Sequence, residues 1–134
     1  MGEVKKVDEK YKESFNLLVS DEFVAHYKFL KERYRQPGEY EINLFSKFKQ
    51  DQLQDFIEEN NIKLSVIFVY GRRGLYKILD FIGLDVDILI CAHEADVWWL
   101  TEAIPNIELV ELSLPKEELF CKIDMVVRRK IKVQ

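Results

Sequence analysis

The sequence is poor in residues that interrupt a chain: its 134 residues include only 5 Gly and 3 Pro. So little glycine and proline excludes a linker or a low-complexity chain. Hydrophobic residues make up 48% of the sequence and charged residues 33%. This composition is typical of one soluble globular domain, which we expect to span residues 1–134.

Long apolar runs and targeting signals are missing as well. No stretch approaches the ~20 apolar residues that a membrane span needs, and the charged residues 1–10 are not followed by the apolar run of a secretory signal. We therefore expect a cytoplasmic protein with no membrane partner. Cys91 and Cys121 lie in apolar segments, so we expect two reduced, buried thiols rather than a disulfide.

The first part of the chain reads as helical. Two apolar stripes at helical spacing occupy residues 8–36 and predict an N-terminal helical pair. The first helix is expected over residues 8–19, and the second from Ser20 or Asp21 to Tyr34.

From residue 40 onward, strand patterns alternate with helix patterns. Short connections between alternating strands and helices indicate parallel strands joined by right-handed crossovers. We therefore predict an α/β fold in which residues 40–134 form a mostly parallel four-stranded sheet with helices on both faces. The expected strands are 40–46, 64–70, 86–92 and 107–112, and the expected helices are 50–59, 75–82, 94–104 and the segment from Pro115 onward.

Two loops of this sheet are candidates for a ligand site, because ligands of open parallel sheets bind beyond the carboxyl ends of the strands. In the first loop, glycines allow the backbone to approach a phosphate, and the N-terminus of the next helix favours an anion. The alternative is a tight turn whose arginines are solvated or paired with acids of the second loop. The first loop is Tyr70 followed by the candidate anion site Gly71, Arg72, Arg73 and Gly74, and the second is His93, Glu94, Ala95 and Asp96.

The second loop has residues suited to metal binding or acid–base chemistry, but too few of them. A zinc site needs three or four ligands, and the whole chain has only two His and two distant Cys. Glu94 and Asp96 are also explained as acids at the positive end of a helix dipole. The sequence has neither a G-x-S-x-G elbow nor a C-x-x-C pair. We therefore assign no catalytic residue, metal or cofactor, and interpret His26 as structural.

Adjacent tryptophans, Trp98 and Trp99, fall within a predicted helix. Neighbouring helical positions differ in direction by about 100°, so we expect one indole in the core beside Val97 or Leu100 and the other partly exposed. Partly exposed Trp is strongly enriched at binding hot spots. The alternative is that the outer indole lies flat over a neighbouring helix.

Positive charge is missing from a long stretch of the chain. Between Lys77 and Lys116 there is no Lys or Arg, although the net charge of the whole protein is only −4. A protein surface formed by such an acidic stretch attracts basic partners and repels nucleic acid. The alternative is that the acids simply occupy solvated loops and helix starts. The acids of this stretch are Asp80, Asp85, Asp87, Glu94, Asp96, Glu102, Glu108 and Glu111.

Two functions are consistent with these features. The first is a non-enzymatic binding protein that docks a basic protein, as toxin-neutralising (immunity-type) proteins do when they cover a nuclease; its contact residues are expected to be Trp98, Trp99, Glu94, Asp96 and Glu102. The second is an enzyme or a nucleotide- or anion-binding domain using the crevice of Arg72, Arg73, His93, Glu94 and Asp96. We favour the first, because the crevice lacks a complete catalytic set.

Overall fold

The computed structural model describes residues 13–133, and of Arg73 only the backbone. Within these residues, five strands alternate with five helices along the chain. The strands are β1 (Ser14–Asp21), β2 (Glu41–Phe45), β3 (Ile62–Phe68), β4 (Asp87–Ala92) and β5 (Ile107–Glu111). The helices are α1 (Ala25–Tyr34), α2 (Leu53–Glu59, preceded by the 3-10 turn Gln50–Gln52), α3 (Arg72–Phe81), α4 (Glu94–Ala103) and α5 (Lys116–Val133).

All strands lie in one parallel sheet with the order β2-β1-β3-β4-β5. This is the order of the flavodoxin-like doubly wound folds, in which the direction of winding changes between β1 and β3. One buried cluster packs α1 and α5 on one face of the sheet, around Leu17, Leu64 and Leu89. The other packs α2, α3 and α4 on the opposite face, around Ile67 and Ile90. The predicted parallel α/β fold with helices on both faces is confirmed.

The prediction of four strands and an N-terminal helical pair is wrong in one element. Residues 14–21 form the interior strand β1 rather than the end of a helix, so only α1 remains of the pair. Phe15 and Leu17 belong to one core cluster and Leu18 to the other. A strand buried on both faces has no alternating pattern, and a short apolar run of this kind fits a helix equally well. Residues 8–12, where the predicted helix began, lie outside the described residues.

The burial of the two thiols also differs from the prediction. Cys91 is fully buried in β4, whereas Cys121 is exposed on α5. Leu119 and Ile123 occupy the buried stripe of α5, and Cys121, midway between them, points away because the helix turns about 200° over two residues. None of the helices within residues 13–133 combines the length and the apolar character needed to cross a membrane.

Candidate functional site

The two candidate loops lie on either side of one cleft at the carboxyl edge of the sheet. The cleft has a volume of about 400 Å³ and separates the start of α3 from the start of α4. Arg72 lines it from one side and Asp96 from the other, whereas His93 and Glu94 are not among its lining residues. The lining residues are Val69, Gly71, Arg72, Leu75, Ala92, Ala95 and Asp96.

The two glycines of the first loop have different roles. A Cβ atom at Gly74 would lie 2.9 Å from Val69 Cγ1 and 3.1 Å from Val69 Cα, so this glycine lets α3 pack closely on the end of β3. A Cβ atom at Gly71 would meet nothing within 4 Å, and the extended backbone there, with φ −174°, suits any residue. Close packing of the helix on the strand therefore accounts for Gly74 without an anion.

The second loop is tied to the end of β5 by one carboxylate. Glu111 accepts hydrogen bonds from the backbone N–H of Glu94 at 2.9 Å and of Ser113 at 3.0 Å, and its Oε2 lies 3.2 Å from His93 Nδ1. The backbone N–H donors of Glu94 and Ser113 are the main reason why the pKa of Glu111 is lowered to about 2. Glu111 therefore caps α4 from another element, and His93 takes part in this cap rather than in the cleft.

Both tryptophans of α4 are exposed, so the prediction that one indole lies in the core is wrong. Trp98 is 52% exposed and Trp99 49%, while Val97 and Leu100 face the sheet. The two buried positions bracket the tryptophans in sequence, which places the indoles on either side of the outward direction of the helix. The Nε1–H of Trp99 donates to the backbone carbonyl of Asp96 at 3.2 Å.

The basic end of α5 neutralises part of the acidic stretch. Lys130 Nζ lies 3.1 Å from Asp87 and 3.3 Å from Glu108, and Arg129 lies 2.8 Å from Glu108. By contrast, Glu94, Asp96 and Glu102 are exposed on α4. Among the side chains that the structure describes, none of these three takes part in an ion pair. The three carboxylates beside the tryptophans therefore keep their negative charge exposed.

A second polar cluster, not found from the sequence, lies where β1 and β3 end. The Tyr70 hydroxyl donates to Asp21 Oδ1 at 2.5 Å, and His26 Nδ1 lies 2.7 Å from the same hydroxyl. Asp21 also accepts the backbone N–H groups of Phe23 and Tyr27. The partners are 44 and 49 residues apart in sequence, and no local pattern connects them.

The electrostatics of this cluster favour uncharged side chains on Tyr70 and His26. Burial and the hydrogen bond to Asp21 raise the pKa of Tyr70, and burial lowers the pKa of His26. A phenol whose pKa is raised is a poor base and nucleophile at neutral pH. The cluster is therefore suited to holding the β1–α1 turn against β3, with His26 stacked on Phe68 at 4.9 Å between ring centroids.

The described side chains do not bring together a metal-binding group: no three His, Cys, Asp or Glu residues among them lie close enough to share an ion. No protein-family model matches this sequence, and a comparison with curated proteins finds no significant match.

Proposed function

We propose that this protein is a non-enzymatic binding protein that docks a basic protein on the outer side of α4. The contact residues form what we call the acidic Trp surface: Trp98, Trp99, Glu94, Asp96 and Glu102. The observation that carries the proposal is that two adjacent indoles are each about half exposed on a helix whose only charged side chains are acidic.

Exposed indoles favour association because water is released when a partner covers them. A Trp at the centre of an interface commonly contributes 2 kcal/mol or more, about thirtyfold in the dissociation constant. Carboxylates around the indoles select a partner with Lys and Arg at matching positions and repel acidic proteins and nucleic acid. One helix therefore supplies both the apolar contact and the charge complementarity.

The chemistry of the partner follows from these charges. A nuclease carries Lys and Arg where it binds phosphate groups, and such a surface complements the acidic Trp surface in charge. A toxin-neutralising role, in which this protein covers a nuclease, is the most specific form of the proposal.

The cleft supports the enzyme or anion-site hypothesis less strongly. Its one described cationic side chain, Arg72, lies opposite the carboxylate of Asp96, which opposes binding of an anion there. That hypothesis stays a prediction, and calorimetric titration of the protein with nucleotides and divalent cations tests it. Heat of binding that depends on Arg72 would support it, and the absence of heat would contradict it.

Affinity capture with matched variants tests the docking proposal. The full chain is immobilised and exposed to an extract of its own organism, and the proteins retained by the wild type and by each variant are compared. One variant carries Trp98→Ala and Trp99→Ala, and another carries Glu94→Lys, Asp96→Lys and Glu102→Lys. The control carries Asp51→Lys, Asp55→Lys and Glu58→Lys, which change the net charge equally at exposed positions in or next to α2.

The expected result is a basic protein that the wild type and the α2 control retain and that both α4 variants lose. Calorimetry with the purified partner should then give a dissociation constant at least about thirtyfold weaker for the double Trp variant. Retention of the same basic protein by both α4 variants, or failure of the wild type to retain any basic protein, would falsify the proposal. Circular dichroism of each variant checks that it is folded.

A further inference from the structure

We call the space between the outer sides of α3 and α4 the groove. At the sheet edge it begins as the 400 Å³ cleft, where Leu75 of α3 and Ala95 of α4 line the same space. Both helices cover one face of the sheet and follow adjacent parallel strands, so the sides that face each other at the first turn stay adjacent farther along. Because residues four apart lie on one side of a helix, we expect Leu79 and Trp99 to border the continuation of this groove.

The α3 wall of this groove is a second apolar stripe. The first stripe of α3 is buried against the sheet around Ile78. The second consists of Leu75, which packs partly on the same core, and Leu79, which lies one turn later and is 58% exposed. A surface helix usually buries one apolar stripe and presents polar residues elsewhere, so the second stripe is suited to contact with another molecule.

The α4 wall alternates small and large side chains. Trp99 is preceded by Ala95 and followed by Ala103, each one turn away and each exposed. Small residues on both sides of an exposed indole leave depressions into which large side chains of a second helix can insert, as in ridges-into-grooves packing. The spacing of these depressions matches the turns of a helix better than the pleat of a strand.

The charges beside the groove differ between its two sides. Glu94 and Glu102 lie one turn before and one turn after Trp98, on the outer ridge of α4. On α3, Lys77 and Asp80 line a separate cavity next to Ser20 and Phe48, on the side away from α4. A helix in the groove therefore meets carboxylates along its α4 flank only.

We propose that the groove between α3 and α4 binds one amphipathic helix of the basic partner. The apolar stripe of that helix packs on Leu79 and Trp99, and its Lys or Arg side chains along one flank face Glu94 and Glu102. This inference rests on the proposed function and adds to it the secondary structure of the partner and the part of the surface that it occupies.

The test uses a synthetic helical peptide of about 14 residues, roughly four turns, with leucines on one face and lysines on the other. Backbone amide NMR shifts of the full chain are followed during titration. A control peptide has the same leucines and lysines distributed evenly around the helix, and another replaces lysine by glutamate. The protein variants are Leu79→Ser and Trp99→Ala, with Met125→Ser as the control on α5, where Met125 is also exposed.

We expect the amphipathic basic peptide to shift amides of both α3 and α4. Leu79→Ser and Trp99→Ala should each weaken its binding at least about tenfold, Met125→Ser should leave it unchanged, and both control peptides should bind more weakly. Lack of peptide binding, or binding that Leu79→Ser leaves intact, overturns the groove assignment. Self-association of the protein through the same residues also overturns it and assigns the groove to a second copy.

These results separate the two proposals. In one outcome, the double Trp variant loses the captured basic protein while Leu79→Ser still binds it with wild-type affinity. That result would support the acidic Trp surface and contradict the helix-binding groove. If the wild type captures no basic protein, the proposed function is contradicted, irrespective of the result of the peptide titration.

Discussion

At the scale of single residues, Gly74 and Gly71 show how one motif can combine a structural requirement with a tolerant position. Gly74 faces the backbone of Val69, so any side chain there pushes α3 away from β3. A Cβ atom at Gly71 would meet no other atom within 4 Å, and the backbone there is extended. Gly71 is the N-cap of α3 and, having no side chain, leaves the helix without a side-chain cap. The same substitution at the two positions should therefore have opposite effects on stability.

We predict that Gly74→Ser lowers the free energy of unfolding by about 1–3 kcal/mol, because its Cβ overpacks the helix–strand contact. Gly71→Ser should raise it by about a few tenths of a kcal/mol, since Ser is a favoured N-cap residue. Urea denaturation monitored by circular dichroism measures both. Equal effects at the two positions would contradict the assignment of the close contact to Gly74.

At the scale of secondary-structure elements, Glu111 connects β5 to the helix that carries the acidic Trp surface. His93 provides α4 with no side-chain cap, and Glu111 supplies the missing acceptor across 17 residues of sequence. The orientation of the exposed indoles therefore depends on a residue that lies outside α4.

The pKa of Glu111, lowered to about 2, predicts how this connection depends on pH. A lowered pKa means that the ionised carboxylate favours the folded state, so its contribution is complete above the ordinary value of about 4.5. As the pH falls from about 4.5 to 2, that contribution is lost. Glu111→Gln removes it at every pH, so wild type and variant should differ in unfolding free energy at pH 7 and converge near pH 2.

Denaturation at a series of pH values tests this expectation, with Trp fluorescence reporting on α4. Glu102→Gln is the control, because Glu102 is exposed on the same helix and is not part of the cap. A difference between wild type and Glu111→Gln that stays constant from pH 7 to pH 2 would show that the charge of Glu111 does not support the helix.

At the scale of the whole molecule, the distribution of charge is shaped by tertiary pairing. Lys130 bridges Asp87 and Glu108, so the basic end of α5 neutralises acids near the amino ends of β4 and β5, at the opposite edge of the sheet from the start of α4. The net charge of −4 therefore does not show which acids are neutralised near α5 and which, such as those of α4, stay exposed.

Association with the basic partner should accordingly depend on salt. Raising the ionic strength from about 0.05 M to about 0.5 M should slow association by about tenfold or more, because screening shortens the range of the attraction. Dissociation should change much less, since it is governed by the apolar contact. Stopped-flow fluorescence of Trp98 and Trp99 measures both rates. A variant with Glu94→Gln, Asp96→Asn and Glu102→Gln should show a smaller salt dependence, and a matched α2 variant with Asp51→Asn, Asp55→Asn and Glu58→Gln should keep it.

The sequence alone was sufficient for much of this architecture. Residues 40–134 carry local periodicities, such as the alternation of apolar and polar residues over 40–44 and the apolar stripe of α5, and local periodicity shows which side of an element is buried. The carboxyl edge of the sheet, with Arg72 and Asp96 on one cleft, followed from the parallel order of the strands. β1 was missed because Phe15 and Leu18 also fit a helical stripe and Val19 is the only β-branched residue of this segment, whereas the runs of β3 and β4 are richer in β-branched residues.

Contacts between distant segments could not be predicted before the elements were seen packed together. The α/β class, the acidic stretch and the position of the Trp pair on a helix could be predicted from local sequence, since each depends on neighbouring residues. The cluster of Asp21, Tyr70 and His26, the capping of α4 by Glu111 and the exposure of both indoles depend on how the elements pack. Packing depends on the whole sheet. A short segment of sequence therefore does not specify which distant backbone or side-chain groups it will contact.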